Sequence, residues 1–300
     1  MRGLYPLLLL LMGLAWGLTQ PLGKIAASTG HQPFGLIFWQ LLICTLVLGG
    51  LCAMRGEWPR RDGRALRFYL VVALCGTLVP NYTFYLSIAR LPSGIMSVIV
   101  AAIPMLTFPI ALLLGMDRFS GLRFLGLCLG LAGVLLIAFP AGGLGAALPD
   151  PAMVAFLPVA LIGPLFYAAE SLYVARGGMA GMGAIPAMAG ASAVGLVLCL
   201  PMALLSGQFF ALPLPPGRPE WALIASSAIH ALVYALYIWL AARAGAVFAG
   251  QVSYIITLTG VIWAMILLGE QPAAAVWVAA ALMICGMFMV RARPAAEMNR

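Results

Sequence analysis

The sequence predicts an all-α membrane protein, with ten transmembrane helices set as two inverted five-helix repeats. Three observations predict it. Hydrophobic residues make up 64% of the 300-residue chain and charged residues only 8%, where a soluble domain is about 45–50% apolar and about 25% charged. The apolar residues fall into ten segments, each near the roughly 20 residues that a hydrocarbon crossing needs. The two halves of the chain also align on each other without a gap. Sixteen basic and eight acidic residues are too few to coat a water-facing surface of this size. That excludes a soluble enzyme, a nucleic-acid-binding domain and a disordered chain. The net charge of +8 therefore reports orientation in a bilayer and not affinity for nucleic acid.

The segments fall near residues 4–27, 34–54, 66–88, 92–116, 121–140, 153–175, 184–206, 220–242, 246–268 and 273–290. The first follows Met1-Arg2 as a signal peptide would, but its apolar stretch is too long for a signal core and reads as a retained span. Most connections are short turns such as Leu91-Pro92-Ser93-Gly94. Three are longer: the charged 55–65, the small-residue 141–152 and the proline-rich 207–219. None can hold a soluble domain. The domain reading is a first repeat over 1–140, a linker over 141–152 and a second repeat over 153–300. No Walker-type phosphate loop occurs, so the chain has no nucleotide motor of its own, and no ATPase subunit is implied. Pro80, Pro104, Pro109, Pro158 and Pro164 should kink or break their helices. Gly13 with Gly17, and Gly126 with Gly130, should let helices pack closely. The six cysteines, Cys44, Cys52, Cys75, Cys128, Cys199 and Cys285, form no C-x-x-C pair and read as small buried hydrophobes.

Basic residues test the span count. Arg2, Arg55, Arg60, Arg61, Arg64, Arg67, Arg118, Arg123, Arg176, Arg243, Arg291, Arg293 and Arg300 all fall on one side; only Arg90 and Arg218 fall on the other. The Arg-rich side is then cytoplasmic, both termini lie inside, and the chain sits in a cell (inner) membrane.

The repeat appears when residues 91–137 are laid on 244–290. Asp117-Arg118-Phe119 falls on Glu270-Gln271-Pro272 and Gly133 on Gly286; extended upstream, the same register puts Thr77 on His230 and Asn81 on Tyr234. Five spans per half is an odd number, so the halves are inverted, as in secondary transporters with a midplane site. This layout, with the Asp117 and Glu270 turns before each half's last span, resembles the EamA type of the drug/metabolite transporter superfamily. So do Ala15-Trp16-Gly17 with Lys24 seven residues on, Pro104, and the Gly126, Gly130, Gly133 series. The resemblance implies an exporter of amino acids and related metabolites. The chain departs from the family in having Asp117-Arg118 where Glu-Arg is usual, and Glu270-Gln271 without a basic partner.

Polar residues inside spans point to the site, because each is costly there. Thr77, Asn81 and Tyr85 share a face by their spacing of four, with Tyr82 beside it. His230, Tyr234 and Tyr237 share another, as do Gln251 and Tyr254, and Trp16 and Gln20. Together they would line an aromatic cavity with neutral hydrogen-bonding groups, suited to a small organic solute and unsuited to a bare metal ion. No cofactor or metal is implied. His230 reads either as a cavity group or as a packed histidine. Trp58, Trp221 and Trp277 lie near span ends and read as interface anchors. Lys24 and Glu170 are the clearly charged residues within spans. One reading has Lys24 snorkel outward and Glu170 reach inward toward Arg176; the other makes them gating or headgroup contacts. Without a deep carboxylate, transport down the solute's own gradient stands beside proton antiport. A membrane enzyme would need a catalytic cluster that the sequence does not assemble, and a channel leaves the mirrored halves unexplained.

Overall fold

A computed structural model of the chain describes residues 4–138 and 150–289. Most of the expected linker, the arginines at positions 2, 291, 293 and 300, and the last residues of the fifth and tenth predicted spans lie outside the described residues. The chain is a multi-pass, all-helical membrane protein. Helices among the described residues make up 81% of the chain, and no strand occurs among those residues.

Eight stretches are long and apolar enough to cross a bilayer: α1 (Leu4–Ala27), α2 (Pro33–Arg55), α3 (Gly63–Ile88), α4 (Ser93–Leu113), α6 (Ala152–Gly177), α7 (Ala184–Leu205), α8 (Arg218–Ala244) and α9 (Ala246–Leu268). Two shorter apolar helices, α5 (Gly121–Ala138) and α10 (Ala274–Met289), complete the ten. Local chemistry sets the ends. Pro33 opens α2, where a missing N–H costs nothing. The Asp62 carboxylate accepts from the Ala65 N–H and caps α3. Glu220 accepts from the Gly217 N–H at 2.8 Å and closes the start of α8.

The packing displays the inverted repeat. Helix α1 packs on α8 and α9, and its counterpart α6 packs on α3 and α4; α2 pairs with α7, and α5 with α10. Exchanging the halves carries the α1 contacts onto the α6 contacts and the α2–α7 and α5–α10 pairs onto themselves. The small residues expected to permit close packing do so. Thr259 of α9 seats against Gly17 of α1 and donates to the Gly13 carbonyl at 2.8 Å. Gly286 of α10 rests on the Gly126 backbone of α5. Leu122, Leu125, Leu131 and Leu135 of α5 are exposed, as a lipid-facing outer helix requires. Cys128 and Cys285 are exposed on the same helix pair, whereas Cys44, Cys52 and Cys199 are buried. The expectation of buried cysteines therefore fails for α5 and α10, because lipid receives a thiol as readily as a core does. Trp58, Trp221 and Trp277 are all exposed.

Three spans are irregular. Val72–Leu78 of α3 winds as a π-helix. Pro80 follows it and cannot donate to the Gly76 carbonyl, so the ladder is already interrupted there. Helix α4 breaks between Ile99 and Ala102, just before Pro104. Helix α9 breaks at Gly250-Gln251. A Cβ at Gly250 would stand 3.7 Å from Pro104 Cα, so the two breaks meet.

Candidate functional site

The broken helices border a central cavity of about 80 Å³. Both halves wall it: Trp16 and Gln20 from α1, Gln40 from α2, Asn81 and Tyr85 from α3, Val100 from α4, Tyr167 from α6, His230 and Tyr237 from α8, and Gly250 and Val252 from α9. Irregular backbone at membrane depth is tolerated where it lines such a cavity, and discontinuous helices mark transporter sites. The Trp16 ring is the hub, with centroids 5.8 Å from His230, 5.5 Å from Tyr237, 5.9 Å from Tyr234 and 6.4 Å from Tyr167.

Polar groups reach this space unpartnered. Gln20 Oε1, Asn81 Nδ2 and His230 Nε2 are buried and have no hydrogen-bond partner. Buried polar atoms are otherwise nearly always paired, so an acceptor, a donor and an imidazole nitrogen converge on one cavity with capacity to spare. The Tyr85 hydroxyl, by contrast, donates to Gln40 Oε1 at 3.0 Å.

The structure thus brings Trp16, Gln20, Asn81, Tyr85, His230 and Tyr237 to one cavity and leaves the other expected residues off its wall. Thr77 is buried in the π-turn, where spacing by four no longer keeps a face. Tyr82, one residue past Asn81, turns onto Phe34 with ring centroids 4.9 Å apart. Gln251 is buried in the α9 break, and its neighbours Gly250 and Val252 face the cavity in its place. Tyr254 lies beyond the break with its hydroxyl toward Gly130 of α5. Tyr234 stands behind the wall. Gln40 and Tyr167 were not anticipated. The available signals were a lone amide in the second span and a tyrosine three residues before Glu170, on the same helical face.

Two expectations for charged residues are corrected. Lys24 does not snorkel outward. Its Nζ donates to the carbonyls of Ile88 at 2.7 Å, Ala89 at 3.4 Å and Leu91 at 2.9 Å, because the C-terminus of α3 presents unpaired acceptors beside it. Glu170 does not reach toward Arg176, which is exposed. It is fully buried, Oε1 accepts from the Tyr234 hydroxyl, and Oε2 has no partner. Gly76 makes this possible: a Cβ there would collide with the Tyr234 hydroxyl and the Glu170 carboxyl.

The acidic turns also differ. Glu270 Oε1 accepts from the Ser93 N–H and hydroxyl, both at 2.9 Å, and Oε2 from the Gly94 N–H at 3.0 Å, seating a carboxylate on the N-terminus of α4. Asp117 instead accepts from Arg123 Nη1 on both carboxylate oxygens at 2.8 Å, and its Oδ1 also accepts from the Arg118 N–H at 2.8 Å; the Arg123 guanidinium lies over Phe108 at 5.5 Å. A second cavity of about 220 Å³ is lined by Asp117, Arg123 and residues 244–248, the turn from α8 into α9.

Ten helices in mirrored halves around a central cavity define a secondary-transporter architecture. The model of the EamA-like transporter family matches residues 3–139 and again 155–292. The chain belongs to that family, within the drug/metabolite transporter superfamily, whose members are transporters and not enzymes. A solved structure described only as "Crystal structure of protein" shares the fold at a TM-score of 0.66 and 21% identity, covering 94% of this chain and 97% of its own. No curated protein matches the chain.

Proposed function

We propose that the protein exports small metabolites by alternating access through the central cavity, with neutral or aromatic amino acids as the first solute class. The three unpartnered polar atoms carry this reading. Gln20 Oε1 offers an acceptor to an ammonium group, Asn81 Nδ2 offers a donor to a carboxylate, and His230 Nε2 stands between the aromatic rings that would hold a side chain. A cavity of about 80 Å³ is well below the roughly 300–1,000 Å³ typical of ligand sites, so the halves move apart to admit a solute. The two repeats correspond to the first and last parts of the chain on either side of the 141–152 linker. The arginine asymmetry supports an inner-membrane setting with both termini cytoplasmic.

The test is transport by the purified protein in liposomes, using labelled neutral and aromatic amino acids with a cationic dye in parallel. Asn81→Ala should slow amino-acid transport about tenfold at equal reconstitution, the cost of one hydrogen bond to a charged group, and His230→Ala should slow it by opening the wall that holds the side chain. Normal rates in both variants would discard the cavity assignment. Movement of the dye alone would favour the second reading, an exporter of amphipathic drugs, for which the rings of Trp16, Tyr167 and Tyr237 offer cation–π faces.

A further inference from the structure

We infer that Glu170 is a proton-binding site that couples solute movement to a proton gradient; the inference rests on the transporter reading above. The carboxyl is fully buried between the halves: it belongs to α6 of the second repeat, its one partner Tyr234 belongs to α8, and Gly76 of α3 in the first repeat gives it room. The titratable groups around it are the hydroxyls of Tyr167 on its own helix and of Tyr234 and Tyr237 on α8, the thiol of Cys75 on α3, and beyond Tyr234 the buried imidazole of His230, ring centroids 5.1 Å apart. Helix α4 and the start of α9, which also pack on α6, bring no ionisable side chain. Among the described residues no cation pairs with Glu170.

An ionised carboxylate left in this setting, with one hydroxyl donor and one bare oxygen, carries a large uncompensated desolvation cost. A carboxylic acid does not. In the closed arrangement the group therefore holds its proton, the carboxylate having taken up H⁺ with no other bond changed. The adjoining π-turn and Pro80 are the weakest part of the α3 ladder. Separation of the halves at Gly76 strips Glu170 of its cover, water reaches the bare oxygen, and the proton leaves to that face. The sensitivity to rocking follows from the site's being built across both repeats.

The experiment has two readouts on the full-length protein in liposomes. Infrared difference spectra of wild type against Glu170→Gln, recorded near neutral pH without solute, should show a protonated-carboxyl stretch that fades as pH rises. Its absence overturns the proposal. With labelled phenylalanine, an imposed gradient of about one pH unit should sustain about tenfold accumulation in wild type, the limit for one proton exchanged per solute. Relative to exchange at equal pH, that accumulation should vanish in Glu170→Gln; its persistence overturns the proposal. If added solute abolishes the stretch and transport ignores the gradient, Glu170 binds the solute's ammonium group and proton coupling is overturned. If wild type moves no amino acid, the solute reading fails, and the infrared titration alone decides whether Glu170 holds a proton.

Discussion

Gly76 carries more of this architecture than its size suggests. Tyr234 and Glu170 occupy the space where any other residue would place a Cβ. Replacing Gly76 with alanine would push the phenol and carboxyl off α3, and overpacking of this kind costs about 1–3 kcal/mol. Gly49 of α2 has nothing within 4 Å of a built Cβ, so Gly49→Ala is the matched control. Gly76→Ala should lower the thermal midpoint of the detergent-solubilised protein, and Gly49→Ala should leave it unchanged or slightly raised. An unchanged midpoint for Gly76→Ala would mean that the helices part freely there. The sequence displays Glu170 and Tyr234 but not their pairing, because the residue that permits it is a glycine on a third helix with no side chain to read.

At the scale of elements, legibility depended on whether a helix stays regular. The face of Asn81 and Tyr85, and that of His230 and Tyr237, were readable from spacing because those stretches are continuous α-helix. Thr77 and Gln251 fell off the cavity because the π-turn and the α9 break change the period, and no proline announces the break at Gly250. The ten spans were readable because hydropathy needs no partner. Lys24 was visible near a helix end, but its acceptors lie more than sixty residues on. That clamp joins α1 to the turn between α3 and α4. Hydrogen bonds to a charged donor contribute about 1.5–3 kcal/mol each, so Lys24→Met should free the turn. Amide hydrogen exchange over residues 88–91 should accelerate about tenfold or more, while exchange in α7, remote from the clamp, stays as it was. Equal acceleration in both would indicate general unfolding and remove the clamp's specific role.

Across the whole molecule, mirrored halves impose a relation between the two ends. Where Glu270 sits on the N-terminus of α4, the repeat sets Asp117 opposite the N-terminus of α9, with Ala246 and Val247 in the places of Ser93 and Gly94. At the Glu270 end the contact is made and Lys24 reinforces the same turn. At the Asp117 end a cavity of about 220 Å³ is lined by both partners, and Arg123 grips the carboxylate. Under the proposed alternating access, the two halves exchange these arrangements: α4 is released at one end as the start of α9 closes on Asp117 at the other. Glu270→Ala removes three hydrogen bonds that hold only one of the two states. Each 1.4 kcal/mol lost from that state shifts the ratio about tenfold toward its opposite. Spin labels at Thr29 and Gln271, both at the Glu270 end, should then report a longer-distance population in Glu270→Ala that is minor in the parent. Lys24→Met should move the same population in the same direction. A distance distribution untouched by either substitution would mean that Glu270 caps α4 in both states, and the acidic turns would then be helix caps with no part in the exchange.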